Sequence, residues 1–210
     1  MSVNSFGYIH LGGDIRNLII LLLFSLSYSA TLLVPTSQYP TIQSAIDAAS
    51  PGDEVLVDDG FYPENLLIEK DLYLHSENGA DVTIIDGGSP DADDYGSTIV
   101  VRPESNTTHH PIVEIDGFRI KNGKGTDIIN KTIELEDGSH PIEKVGGGLF
   151  VYVNSPKVNN CEFLDNGDNS TVKGGAIFGN SDDDDIDFPN PNRDDYVDHP
   201  DLEPADGTLN

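Results

Sequence analysis

The residues best suited to chemistry lie near the C-terminus, where acidic side chains recur at alternate positions. Asp183, Asp185 and Asp187 supply oxygen ligands, and Asp194 stands at the twelfth position of such a loop. Carboxylate oxygens in this spacing are the ligands that Ca²⁺ takes in loop sites. Phe188 stands where the sharp turn of these loops needs a glycine. The sequence therefore leaves two hypotheses open, a calcium site and a solvated acidic spacer.

Acid–base chemistry is a second possibility, because the chain holds 37 acidic residues and six histidines. Two carboxylates on one face, about 5–10 Å apart, suffice for glycoside hydrolysis, but so many acids make chance pairs certain. The histidines are His10, His75, the adjacent His109 and His110, His140 and His199. Nothing in the sequence fixes a partner for any of them, so the sequence favours isolated surface histidines. No residue is assigned as catalytic.

The charge of the chain excludes two classes of partner. Its 210 residues include 37 acids against 11 lysines and arginines, a formal net charge of −26. Binding to nucleic acid or to anionic lipid depends on Lys and Arg displacing counterions, so we expect neither partner. The single cysteine excludes an internal disulfide and a Cys-rich zinc site. Stability must come from packing, backbone hydrogen bonds or a bound metal.

The first thirty residues have the order of a secretory leader. Residues 18–26 form a short apolar run after Arg16, and small residues follow up to Ala30. This order of basic flank, apolar region and cleavage site is typical of signal peptides. The sequence predicts a leader over residues 1–30, no membrane span after its removal, and a secreted or cell-surface protein. The alternative is a membrane anchor running on to Val34, but polar residues interrupt it, and a spanning helix needs about 20 mostly apolar residues.

Hydrophobic spacing predicts one helix followed by many short strands. Ile42, Ala45, Ile46 and Ala49 recur at the helical period and a Pro-Gly pair follows, so we expect a helix over about residues 40–49. Beyond it, apolar residues alternate with polar ones in short runs that end at Gly, Asn, Asp or Pro. Such a chain builds either a β-sandwich or a solenoid of stacked coils.

Internal repeats favour the solenoid. Residues 115–123 align with residues 158–167 at an offset of 43 to 44, and residues 147–151 align with residues 174–178 at an offset of 27. Offsets near one coil and its double indicate stacked coils, whose inward side chains are buried only against the coils above and below. Asn recurs in the turns, where its amide can bond the Asn of the next coil and its backbone tolerates left-handed conformations.

The same segments carry a resemblance to a known superfamily. The sequence is similar to secreted right-handed parallel β-helix proteins of the pectin-lyase-like superfamily in TIQSAIDAASPGDEVLVDDGFYPENLLIEKDLYLHS, VTIIDGG, EIDGFRIKNGKG and GGGLFVYVNSPKVNNCEFLDNG. The resemblance extends from Thr41 to about Asn180. It implies an all-β fold, a right-handed parallel β-helix whose N-terminal end is capped by the helix at about 40–49. With a repeat of about 22 residues, it implies about five to six coils.

The superfamily includes pectate lyases, pectin methylesterases and polygalacturonases, but their enzyme signatures are incomplete in this chain. Arg119, Ile120 and Lys121 match a polygalacturonase triplet whose basic pair would hold a uronate carboxylate. The acidic motifs that should precede the triplet are missing, so we interpret Ile120 as core and its two neighbours as solvated. Residues 175–179 are similar to an esterase strand without its catalytic Asp.

The sequence thus divides into a leader over 1–30, a β-helix domain over 31–180 and an acidic tail rich in Pro and Asp over 181–210. The tail cannot bury enough apolar surface to offset its ordering entropy. No C-terminal cap is recognisable, and an uncovered coil exposes backbone groups. We therefore expect that the chain is the N-terminal part of a longer protein or that its tail covers the open end.

Three functional hypotheses follow. The first is a secreted or cell-surface module, a monomer, that binds polysaccharide or a cell-surface glycan without catalysis of its own. The alternative is a carbohydrate-active enzyme, a polysaccharide lyase, hydrolase or pectinesterase, whose catalytic coils are missing or unrecognised. The third is a structural spacer of an adhesin. Fold resemblance does not decide among them, because function depends on sites rather than folds. Ca²⁺ is the only cofactor that the sequence suggests.

Overall fold

The computed structural model describes residues 29–89, 95–104, 107, 109–130, 133, 135–152, 156–167, 171–180 and 186–187. Within them the chain forms one α-helix, α1 (Ile42–Ala48), and seventeen strands in four sheets. Sheet 1 contains β1 (Thr31–Val34), β2 (Asp53–Val57), β5 (Leu72–Ser76), β8 (Val113–Asp116) and β13 (Lys157–Asn159). Sheet 2 contains β3 (Gly60–Tyr62), β6 (Thr83–Asp86), β9 (Arg119–Lys121) and β14 (Glu162–Leu164). Sheet 3 contains β4 (Leu66–Ile68), β7 (Ile99–Val101), β12 (Leu149–Tyr152) and β16 (Ile177–Asn180), and sheet 4 contains β10 (Thr126–Asn130), β11 (Ile142–Val145), β15 (Thr171–Lys173) and β17 (Ile186–Asp187).

The chain visits sheets 1, 2 and 3 in the same order again and again. From β2 onward it makes four such passages within the described residues, and each strand pairs in parallel with the strand of the preceding passage. Strand β1 adds a fifth parallel strand at the N-terminal edge of sheet 1. These findings confirm the predicted all-β fold with parallel sheets.

The core lies between the three parallel sheets, where inward side chains of successive passages stack on one another. The inward residues are fully buried and include Val55, Leu74 and Ile115 in sheet 1, Ile85 and Ile120 in sheet 2, and Ile68, Ile99 and Leu149 in sheet 3. Each lies opposite an inward residue on a neighbouring strand, so the alternation read from the sequence becomes a set of apolar stacks.

Helix α1 closes the N-terminal end of this core, as the sequence predicts. Its buried residues Ile42, Ala45 and Ile46 pack against the first strands. Thr41 caps the N-terminus by accepting a hydrogen bond from the backbone N–H of Ser44. The Glu64 carboxylate also accepts from the first two N–H groups of the helix, at 3.0 and 2.9 Å. The helix is therefore held at its start by two independent groups.

Close backbone approach explains the glycine-rich repeat at the entry to sheet 3. A side chain at Gly147 would collide with the backbones of Gly123, Gly167 and Gly175, so only glycine fits where these two passages meet. The strands that follow pair with Leu149 opposite Ile177, an offset of 28. The predicted offset of 27 is thus wrong by one residue, since Gly146 and Gly174, with φ angles of 59° and 60°, already occupy equivalent positions 28 residues apart.

The polar turns differ from the predicted amide ladder in their partners. Asn122 and Asn160 adopt positive φ angles of 61° and 49°, as the sequence suggests for Asn in turns. Their side-chain amides donate to the carboxylates of Asp86 and Asp116, at 2.9 and 2.8 Å, rather than to another Asn. An amide bonded to a charged acceptor forms a stronger hydrogen bond than an Asn–Asn pair.

Sheet 4 was not predicted from the sequence. Strands β10 and β11 pair in antiparallel fashion between the sheet 2 and sheet 3 strands of one passage. Their residues Ile128 and Val145 pack on outward residues of sheet 3, including Val100 and Phe150, and form a second buried cluster. The estimate of five to six coils counted the residues of this hairpin as part of regular coils. The described residues therefore make four passages instead of the predicted five to six coils.

Two predicted regions lie mostly or wholly outside the described residues. Residues 1–28 of the predicted leader and nearly all of the predicted acidic tail belong to this part of the chain. No helix among the described residues is long and apolar enough to cross a membrane. The leader and the tail therefore stay predictions.

Candidate functional site

Sheet 1 presents an open outer face with two straight rows of side chains. The inward positions of its strands are buried, so the alternate positions point outward. The first row is Thr31, Glu54, Tyr73, Glu114 and Lys157, and the second row is Leu33, Leu56, His75, Asp116 and Asn159. We call these ten residues the sheet 1 face. Parallel pairing places successive members of a row about 4.8 Å apart.

Hydrogen bonds fix Glu54 at one end of the face. One of its carboxylate oxygens, Oε2, accepts from the Thr31 hydroxyl at 2.8 Å, and Oε1 lies 3.0 Å from Nδ1 of His75. The three residues lie on three adjacent strands, so the parallel register brings them together. His75 therefore has a carboxylate partner, and the expectation of an isolated surface histidine is wrong at this position.

Tyr73 lies at the centre of the first row, between Glu54 and Glu114. Its side chain is 40% exposed, and its ring meets the His75 ring edge-on with the centroids 6.1 Å apart. An aromatic ring that is held edge-on by a neighbour and open on a rigid sheet is a surface on which a ligand can stack.

The other end of the face is tied together by Glu114. Its Oε1 accepts from Nζ of Lys157 at 2.9 Å and from the side-chain amide of Asn159 at 2.8 Å. The hydrogen bond that Lys157 donates to this carboxylate, together with the negative charge of the carboxylate, raises the pKa of Lys157. The two groups lie on adjacent strands, β8 and β13, so the ion pair joins two passages of the chain.

This arrangement can bind a polar polymer and has one feature of a hydrolase. Tyr73 offers a stacking surface, and the carboxylates, the amide and the imidazole around it offer hydrogen-bonding groups. Glu54 and Glu114 lie two strands apart, which corresponds to about 10 Å at the strand spacing and to the upper end of the range for paired carboxylates in glycosidases.

The Arg-Ile-Lys triplet lies on the outer face of sheet 2. Ile120 is fully buried, as predicted. Arg119 is half-buried and ion-paired, with Nε 2.8 Å from Oε2 of Glu162. Lys121 lies 3.4 Å from Asp86 and over the ring of Phe61, with Nζ 5.7 Å from the centroid. The two cations are thus half-buried and paired with acids of neighbouring strands, instead of solvated as predicted.

A groove of about 350 Å³ lies between α1, β4 and the turn that follows β4. Its lining residues are Gln43, Ile46, Asp47, Pro51, Leu67, Glu69, Lys70 and Glu104. Many of its polar groups hold the fold: Gln43 bonds the Leu67 backbone, Lys70 caps the carbonyls at the end of α1, and Glu69 pairs with Arg102 at 2.8 Å. The groove is therefore a weaker candidate than the sheet 1 face.

The other described histidines differ in their surroundings. His109 is exposed, with Nε2 2.7 Å from Oδ1 of Asp71, which also accepts from the N–H of Ile112. Burial raises the pKa of Asp71, but these hydrogen bonds outweigh it and the pKa is lowered. His140 is exposed and lies 2.8 Å from the carbonyl of Ile133. His109 thus also has a carboxylate partner that the sequence did not indicate.

Cys161 occupies the place that the sequence predicts for it. Pairing of β14 with β9 sets it opposite Phe118, and it packs against the main core. Burial of the thiol is the main cause that raises the pKa of Cys161. A buried thiol with a raised pKa has a low fraction of reactive thiolate.

The predicted calcium ligands are not tested by the structure. Asp183, Asp185 and Asp194 lie outside the described residues, while Asp187 lies in β17, which pairs with β10. Among the residues that the structure describes, no group of three or more His, Cys, Asp or Glu side chains is placed to hold a metal ion.

Sequence reasoning missed the sheet 1 face, although part of the signal was present. The alternation of Leu72 and Leu74 in β5 implied that Tyr73 and His75 point outward. What the sequence did not reveal was the register that sets Glu54 and Glu114 beside this tyrosine.

Two solved structures of pectin methylesterases are similar to this chain. One is a mutant pectin methylesterase in complex with a hexasaccharide, with a TM-score of 0.37, 16% identity, and coverage of 65% of this chain and 49% of that chain. The other is the pectin methylesterase of Erwinia chrysanthemi, with a TM-score of 0.38, 17% identity, and coverage of 67% and 46%. The chain therefore spans about half the length of these enzymes. No family model matches the sequence, and no curated protein is similar to it.

Proposed function

We propose that this chain is a secreted or cell-surface right-handed parallel β-helix that binds polysaccharide along the sheet 1 face, without catalysis of its own. The observation that carries the proposal is the straight row of Glu54, Tyr73 and Glu114 across three parallel strands, with an exposed ring at its centre. A row with a repeat of about 4.8 Å has a period close to the length of one sugar unit, so an extended glycan can meet an equivalent position at each strand.

The chemistry of the face supports a glycan rather than a small apolar ligand. Its groups are carboxylates, an amide, an imidazole and an ammonium around one aromatic ring, and most are held in place by hydrogen bonds between strands. Fixed polar groups lose little conformational entropy on binding, and sugars offer hydroxyls for hydrogen bonds and C–H faces for stacking.

The proposal is tested by titrating the full chain with a panel of polysaccharides in calorimetry or affinity electrophoresis. We expect at least one glycan to bind, and the Tyr73→Ala variant to bind it at least tenfold more weakly, because the stacking surface is lost. Phe61→Ala is the matched control, since Phe61 is an aromatic residue that is 57% exposed on sheet 2. Equal loss in both variants, or binding to no glycan, contradicts the proposal.

A second candidate function is glycan hydrolysis, and the placement of Glu54 and Glu114 on one face favours it. If the pair is catalytic, the wild-type chain releases reducing sugars from a bound glycan and Glu114→Gln abolishes the release without abolishing binding. Binding without any product release supports the non-catalytic module.

Two further parts of the proposal concern regions that lie mostly outside the described residues. We propose that the leader over residues 1–30 is removed on secretion, which N-terminal sequencing of the exported protein tests. We also propose that Asp183, Asp185, Asp187 and Asp194 bind Ca²⁺ in the exported protein. A melting temperature that is the same in Ca²⁺ and in chelator contradicts the calcium site.

A further inference from the structure

We infer that the glycan bound by the sheet 1 face carries amino groups, as in polymers of glucosamine, and is not a polyuronate. The inference rests on the proposed function and names the chemical class of its ligand. It is carried by the placement of an exposed aromatic ring between two fixed carboxylates, and by the pairing of basic side chains with acids elsewhere in the described structure.

The ring and its flanking charges form the recognition element. Tyr73 is 40% exposed, and Glu54 and Glu114 lie directly opposite it on the two neighbouring strands. A cation over an aromatic ring is attracted by the ring face, and a carboxylate on either side adds a direct charge contact. An ammonium group above Tyr73 therefore meets the ring face and lies one strand spacing, about 4.8 Å, from the strands that carry Glu54 and Glu114.

The charge balance of the face has the sign that this ligand needs. Glu54, Glu114 and Asp116 contribute three carboxylates, while Lys157 contributes one ammonium group. The face therefore has an excess of negative charge, and the whole chain adds a field of the same sign, since its formal net charge is −26. Such a field concentrates cationic polymers near the face and repels anionic ones.

A polyuronate would need basic groups that are available, and five of the described basic side chains are engaged by acids. Lys157 bonds Glu114, and the other pairs are Arg102 with Glu69, Arg119 with Glu162, Lys121 with Asp86, and Lys144 with Asp127. A uronate would have to displace a protein carboxylate to reach one of these cations, whereas an amino sugar meets a face on which carboxylates outnumber cations.

Calorimetric titration with three hexasaccharides of equal length tests the inference on the full chain. The probes are a glucosamine hexamer, an N-acetylglucosamine hexamer and a galacturonic acid hexamer, at a pH where the amines are protonated. We expect the glucosamine hexamer to bind at least tenfold more tightly than the acetylated one, and its affinity to fall as salt rises from about 0.01 to 0.15 M. We expect no binding of the galacturonic acid hexamer.

Matched charge variants show whether the preference comes from this face. Glu114→Gln and Glu54→Gln each remove one carboxylate beside Tyr73 and should reduce the preference for glucosamine over N-acetylglucosamine about tenfold. Glu136→Gln is the control, because it removes the same charge from an exposed position outside this face and should leave the preference unchanged. Unfolding curves of all variants confirm that they fold.

The outcomes separate this inference from the proposed function. Equal binding of the glucosamine and N-acetylglucosamine hexamers, or tighter binding of the galacturonic acid hexamer, overturns the inference and leaves the proposed function standing. An equal loss of preference in Glu136→Gln also overturns it, because the effect then belongs to the net charge of the chain. If no glycan binds in this test or in the polysaccharide panel, both the inference and the proposed function fail.

Discussion

The outer faces of sheet 1 and sheet 3 follow the same alternation of inward and outward side chains, but only the outer face of sheet 3 is covered by another sheet. Most outward positions of sheet 1 are polar, and Tyr73 is 40% exposed among them. The outward positions of sheet 3 include Val100 and Phe150, which are fully buried beneath Ile128 and Val145 of sheet 4. One face is open to ligands and the other is closed.

The difference teaches what makes a face of this fold available. An outward apolar row cannot stay in water without cost, so the chain between β9 and β12 folds back as a hairpin and covers it. An outward polar row needs no cover, because its groups satisfy one another across the strands. The sheet 1 face is therefore the one that the chain did not need to bury.

The largest effect on stability is expected when a side chain buried between sheets 3 and 4 is removed. Phe150→Ala removes a fully buried ring that stacks on Phe178, with the centroids 5.9 Å apart. We expect a loss of about 3–5 kcal/mol in the free energy of unfolding, because a cavity opens between sheets 3 and 4. Urea denaturation measures it. A loss as small as that of Phe61→Ala would show that sheet 4 does not cover sheet 3.

An ion pair at the closed face should likewise contribute more to stability than an ion pair at the open face. Arg102 is only 6% exposed and contacts Glu69 at 2.8 Å, so Glu69→Gln leaves a buried guanidinium without that carboxylate. We expect a loss of about 3 kcal/mol in urea denaturation. Glu114→Gln is the matched variant on the open face, where we expect no measurable shift, because Lys157 is 66% exposed. Equal losses would contradict the distinction between closed and open faces.

A smaller, pH-dependent effect is expected at Asp71, which leads into sheet 1. Its folded-state pKa is lowered, so its carboxylate stabilises the fold above the unfolded pKa of about 4, and this contribution is lost as the pH falls through the lower folded-state value. Asp71→Asn should therefore reduce the free energy of unfolding by less than about 1 kcal/mol at pH 7. It should have no effect at a pH below both the unfolded-state and the folded-state pKa of Asp71. A cost that persists or grows at low pH in chemical denaturation would contradict this account.

The smallest effect on stability is expected on the open face itself. Tyr73→Ala removes a ring that is 40% exposed and lies outside both core clusters, so we expect the free energy of unfolding to change by no more than about 0.5 kcal/mol. The same variant should lose glycan binding, as described above. A large destabilisation would mean that Tyr73 packs as a core residue, and the sheet 1 face would then not be an open binding surface.

Much of the fold could be predicted from local patterns. The helix at Ile42 and the inward stacks at Ile115 and Val158 follow from periodicity and from the first repeat, because these patterns act over a few residues or one repeat. Sheet 4 could not be predicted in this way. Its strands β10 and β11 form an antiparallel hairpin that the first two passages lack, and packing against sheet 3 explains this hairpin.

The candidate site shows the same limit more sharply. The Arg-Ile-Lys triplet was a recognisable motif in the sequence, yet in the structure Arg119 and Lys121 are ion-paired with acids on sheet 2. No sequence motif indicated the sheet 1 face, because Glu54, Tyr73 and Glu114 are spaced irregularly along the chain. The connections from sheet 2 to sheet 3 and from sheet 3 to sheet 1 vary in length, so residues that are neighbours in space share no fixed offset in sequence.

The sequence by itself determined the alternation, the capped helix, the stacking of apolar side chains and the acidic charge, since each depends on residue type and short-range spacing. The tertiary structure alone decided which outward face stays open and which carboxylates flank Tyr73. Both depend on the register between strands from different passages and on the path of the hairpin that forms sheet 4. Those are properties of long-range backbone pairing, for which a single sequence carries no local signal.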